Sequence, residues 1–139
     1  MKNILFLLLL AFAATSLSLR ADDADSPLEV QMKILARGTR QLTQQVSNPA
    51  MQQSSIALLE TLKKAATDSK TLAPSKTKEI PEAKRASFLA YFRTDLDELK
   101  DALDQVEQAV KAGDYAKARS LLSSVNSIKK EGHAKFKQD

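Results

Sequence analysis

The chain has 139 residues, no cysteine, one histidine and three methionines, enough for one small domain. The missing thiol excludes a disulfide framework, Cys-ligated zinc or iron–sulfur sites, a cysteine nucleophile, a lipid anchor on Cys and covalent C-x-x-C-H attachment, and one histidine excludes catalysis that needs two. With 3 Gly, 4 Pro and no Trp, beside many helix-forming Ala, Leu, Lys, Glu and Gln, the composition predicts an all-α fold.

Met1-Lys2-Asn3 leads into the apolar run Ile4 to Ala14, which is too short to span a bilayer comfortably. This is the pattern of a secretory signal peptide, with small residues permitting cleavage after Ala21 or after Ala13. An uncleaved membrane anchor is the rival reading. Residues 1–21 are assigned to the signal and 22–139 to the mature domain. Removal of Lys2 and Arg20 leaves 19 basic and 17 acidic residues, a net charge of +2 in place of +4. That balance, together with export, argues against nucleic acid as a partner. The expected location is the bacterial periplasm, and a core without disulfides must suffice alone or be completed by a ligand.

Ser26-Pro27-Leu28-Glu29 is a helix start: Ser26 caps, Pro27 occupies a position that needs no donor, and Glu29 completes a capping box. Leu28, Met32, Leu35, Thr39, Leu42 and Val46 then alternate by 4 and 3, marking one buried face. Asn48-Pro49 repeats the cap and proline for a second helix, with Met51, Ser55, Leu58, Leu62, Ala65, Ser69 and Leu72 in its seam and Ile56, Leu59 and Ala66 beside it. Residues 73–81 hold two prolines and form the longest loop. The third helix runs from about Pro81 to Ala112 with the seam Leu89, Phe92, Leu96, Leu99, Leu103, Val106 and Val110. Gly113 suits a C-terminal cap and Asp114 the next N-cap, so the fourth helix follows almost directly, carrying Ala118, Leu121, Leu122, Val125, Ile128, Gly132 and Phe136. Four helices of similar length with short turns predict an antiparallel up-down-up-down four-helix bundle.

Two residues near the apolar faces carry chemistry beyond filling space. At about 100° per residue, His133 lies about 20° from Leu122 and about 60° from Phe136 around the fourth helix. Met32 lies in the seam of the first. Met32 is six residues after Ser26 and His133 six before Asp139, each about 9 Å from its helix end. In this topology the first and fourth helices are neighbours and antiparallel, so the two side chains face each other at one level. An imidazole and a thioether so placed can ligate a haem iron from both sides. Met51 starts the second helix at the opposite end and cannot pair with His133. Leu35, Leu62, Ala65, Ala66, Phe88, Phe92 and Phe136 would border the pocket, while Lys129 and Lys137 could reach haem propionates. The same pair is also readable as a surface histidine and a core methionine, and periodicity leaves both readings open.

The segments Leu28-Glu29-Val30-Gln31-Met32-Lys33, Ala112-Gly113-Asp114 and Lys129-Lys130-Glu131-Gly132-His133-Ala134-Lys135-Phe136-Lys137 resemble the soluble cytochrome b-562 family. The resemblance implies an exported four-helix bundle that binds one b-type haem non-covalently through an early methionine and a late histidine, here Met32 and His133. The related cytochromes c′ need two cysteines before the histidine, and Lys129 and Gly132 stand there instead. A six-coordinate iron implies a one-electron carrier and no enzyme, working as a monomer with redox partner proteins the sequence does not identify. The alternative is a haem-free helical scaffold, chaperone or stress-response protein of the cell envelope. A di-iron carboxylate enzyme fails on count, since it needs two Glu-x-x-His motifs.

Overall fold

The computed structural model describes residues 25–137. The expected signal peptide lies outside the described residues. Four α-helices form the bundle: α1 (Pro27–Gln45), α2 (Gln52–Ser69), α3 (Glu82–Lys111) and α4 (Tyr115–Phe136), with 3-10 turns at Pro49–Met51 and Ser75–Glu79. Among the described residues no helix is long and apolar enough to cross a membrane.

Local chemistry sets the boundaries. Ser26 and Glu29 form the reciprocal capping box expected of them. Asn48 accepts from the Ala50 N–H at 3.0 Å and caps the 3-10 turn that opens the second hairpin arm. Gly113 has φ +74°, the left-handed conformation that ends α3. The Asp114 side chain accepts from the Lys117 N–H at 3.0 Å to start α4.

The helices are less equal in length than the spacing suggested. α3 has 30 residues while α2 has 18 and stops at Ser69, so Leu72 lies in the turn beyond it, half-buried. The α2 seam is also centred differently. Leu59 is fully buried and Leu58 only partly so, because α2 is wedged between α1 and α3 and buries a stripe on both flanks. Leu42, Leu59, Leu62, Leu103, Val106, Val110 and Val125 are buried without residual exposure worth noting and form the main core. Thr39 and Ser69 fill seam positions by donating their hydroxyls to the carbonyls of Leu35 and Ala65, at 2.6 and 2.7 Å. A second, smaller cluster of Phe92, Leu96 and Phe136, with Leu28 and Phe88 against it, closes one end. At the other end the Gln52 side-chain amide donates to the Val110 carbonyl at 2.8 Å, tying the start of α2 to the end of α3.

α1 reaches α2 at Gly38. A Cβ built there would stand 2.5 Å from Leu62 Cδ2 and 3.3 Å from Leu58 Cδ1, so the missing side chain is what lets the two helices approach. Leu62 is itself fully buried and cannot swing aside without moving its neighbours. Gly38→Val is expected to destabilise the protein by about 1–3 kcal/mol through overpacking, measured as a lower urea midpoint at unchanged slope.

Between α2 and α3, Lys63 bridges Asp104 at 2.9 Å and also grips Glu107, which Lys111 contacts from the next turn. The Glu107 side chain is 6% exposed. Burial alone would raise its pKa, but hydrogen bonds from Lys111 and Lys63 outweigh that and hold the carboxyl below its ordinary value. The hydrogen bond from Lys63 likewise lowers Asp104. Depressed carboxylate pKa values stabilise the fold above the unfolded pKa near ~4, and that contribution is lost as pH falls through the folded values. Glu107→Gln should therefore lower stability at neutral pH by roughly 1.5–3 kcal/mol and flatten the acid limb of a stability-against-pH profile. An acid limb as steep as that of the unaltered protein would contradict this account.

Candidate functional site

The first and last helices form the open side of the bundle. α3 packs extensively on both α2 and α4, and α2 on α1, whereas α1 and α4 touch only sparsely. Met32, Ala36, Arg40 and Thr43 lie on the flank of α1 opposite Gly38, the flank turned from α2. On α4, Asn126, Lys129 and His133 lie opposite Lys135, which reaches across to Asp95 of α3 at 3.1 Å. The two free flanks meet over a groove of ≈ 440 Å³ lined by Ala36, Arg40, Thr43 and Gln44 from α1 and Asn126 and Lys129 from α4.

This groove gives the register of the two helices. Ala36 and Lys129 share it. Met32 is one turn before Ala36 and His133 one turn after Lys129, so in an antiparallel pair both lie about 6 Å farther toward the same end of the bundle. Met51 lies in the turn after α1, at the end where Gln52 meets Val110.

Met32 is half-buried and touches both the main core and the Phe92, Leu96 and Phe136 cluster. Phe136 packs edge-on against Phe88 and Phe92, with ring centroids 5.3 and 5.2 Å away. His133 is exposed. Its backbone carbonyl accepts from the Lys137 N–H at 3.1 Å, and among the described residues its ring has no hydrogen-bond or ionic partner. Both imidazole nitrogens are uncommitted.

The other residues singled out from the sequence divide between two places. Leu35, Leu62, Ala65 and Ala66 belong to the main core, and Phe88, Phe92 and Phe136 to the end cluster, with Met32 at their junction. Lys129 lines the groove half-buried, where burial and then the Arg40 charge push its pKa down. Lys137 is exposed just past the end of α4. Sequence reasoning missed Arg40, eight residues beyond Met32, because only the facing of α1 on α4 shows that it enters the same groove. It also left out Leu96, a seam residue that proves to be part of the aromatic cluster.

A thioether and an unpartnered imidazole border an open seam beside an aromatic cluster. That donor set suits a flat apolar cofactor held without covalent attachment, whereas a carboxylate-rich ion site has no counterpart: among the described residues no three His, Cys, Asp or Glu side chains gather into a metal site. A family model for cytochrome b562 matches residues 27–137, from the first residue of α1 to the residue after α4. No curated protein and no solved structure matches the chain significantly. Cytochromes b562 are haem-binding electron-carrier proteins that hold b-type haem non-covalently. The chain belongs to the cytochrome b562 family.

Proposed function

We propose that the mature protein is an exported one-electron carrier of the periplasm, in which Met32 and His133 would hold one haem between α1 and α4. The carrying observation is the common level of Met32 and an unpartnered His133 across the sparsely packed seam. The bound haem supplies a reversible one-electron iron couple.

The chain's own residues set the conditions for that couple. His133, free of any competing hydrogen bond, would hold the iron through a ring nitrogen. The Met32 thioether is soft and neutral, which favours the reduced, less charged metal. Held by both Met32 and His133, the group would supply electron exchange rather than binding of dioxygen or a substrate. Phe88, Phe92 and Phe136 exclude water on one side of the crevice, and Leu35, Leu62 and Ala65 floor it. Lys129 and Lys137, one turn to either side of His133, offer ammonium groups to the propionates. The protein acts as a monomer that meets its redox partners in turn.

Purified protein given haem should develop a Soret band and sharp visible bands on reduction. His133→Ala should weaken haem binding by at least the roughly 10–100-fold typical of lost support at a metal site. Met32→Ala should retain haem with a five-coordinate, high-spin spectrum and a lower midpoint potential. Wild-type spectra in both variants would refute the ligand pair, and a protein that takes up no haem would instead be the envelope scaffold.

A further inference from the structure

We propose that the groove between Arg40 and Lys129 is an oxyanion site, taking a small ligand with phosphate- or carboxylate-type charge. Two cations line one cleft with neutral Thr43, Gln44 and Asn126 and no carboxylate. Neither has an ionic or hydrogen-bond partner among the described residues. Three other half-buried lysines carry carboxylate partners: Lys63 with Asp104 and Glu107, Lys70 with Asp97 at 2.6 Å, Lys100 with Asp104 at 3.2 Å.

Arg40 and Lys129 share one cleft whose other lining residues are uncharged, and Lys129 is half-buried there. Arg40, itself exposed, stands near the half-buried Lys129, and burial and then the neighbouring guanidinium lower the Lys129 pKa. An anion reverses the balance. The Arg40 guanidinium offers a planar fork for two oxygens, the Lys129 ammonium a point charge, and the Gln44 and Asn126 amides neutral donors. The cleft volume, ≈ 440 Å³, lies within the range of small-ligand pockets. The inference does not depend on Met32 or His133 binding iron. The oxygens can come from a free anion or from the carboxylates of the haem itself.

Inorganic phosphate, titrated into the haem-free full chain at fixed ionic strength, is the probe. Wild type should show a saturable rise in unfolding temperature, and Arg40→Gln and Lys129→Met should each weaken the response about ten- to hundredfold. Lys84→Gln, on exposed α3, should respond as wild type does. Without phosphate, the Arg40 and Lys129 variants should unfold at or above the wild-type temperature, because each removes a like-charge contact; this separates a binding role from a structural one. Phosphate binding that survives haem loading would assign the site to a free oxyanion. Its loss with haem, but not with haem dimethyl ester, would assign it to the cofactor's carboxylates. An equal effect of chloride, or equal responses from wild type and both groove variants, would overturn the proposal.

Discussion

The placement of α1 depends on its contact with α2 at Gly38. With α1 laid against Leu62 and Leu58 there, its opposite flank needs no tight partner. The helix can be held firmly along one side and stay open along the other. Everything distinctive about the α1–α4 seam follows from that division: the half-buried Met32, the exposed imidazole of His133, and two cations sharing a cleft. A bundle in which α4 packed on α1 as fully as it packs on α3 would have closed all three into ordinary core.

The opposite side of the molecule is built to resist such opening. α3 is the longest helix and the one on which both α2 and α4 rest. Its polar edge is fastened to α2 through Lys63, Asp104 and Glu107, and through Lys70 and Asp97 farther along. Its apolar edge brings Leu99, Leu103, Val106, Ala109 and Val110 to the main core as well as Phe92 and Leu96 to the end cluster. Rigidity is therefore concentrated in α2, α3 and α4, and adaptability on the flank of α1. The groove lined by Ala36 and Lys129 lies at that boundary, between a helix packed on one neighbour and a helix packed on α3.

How far the molecule could be read from its residues varied with the physics involved. Helix existence and caps were legible because they are local: the capping box at Ser26, the left-handed Gly113 and the Asp114 cap each act within a few residues. The seam of α3 was legible because one strict 3,4 alternation faces one core. That of α2 was less so, since a helix packed on two sides buries a wide stripe and Leu59 displaces Leu58 from its centre. The depth of Met32 and His133 was less legible, since the count ran to the last residue of the chain whereas α4 stops at Phe136, three residues beyond His133. Arg40 could not be placed, as nothing in the periodicity of α1 says which flank will lack a partner. The assignment of Leu35, Leu62 and Ala65 to the border of a pocket was harder for the same reason, since the periodicity that marks them as inward-facing does not separate core floor from crevice wall.

The sparse α1–α4 contact also bears on how the chain folds. Every extensive helix pairing joins sequence neighbours, and α3 and α4 are connected almost without a loop. Such low contact order favours rapid folding, because no long loop must close before most of the stabilising contacts form. The pairing left over is the one between the two ends of the chain. In the proposed holoprotein, ligation of one metal by Met32 and His133 would cross-link residues about 100 positions apart, shrinking the freedom of the unfolded ensemble as a long-range disulfide does. A protein without a single cysteine would thus obtain its one covalent-like tether from its cofactor, after the bundle has assembled.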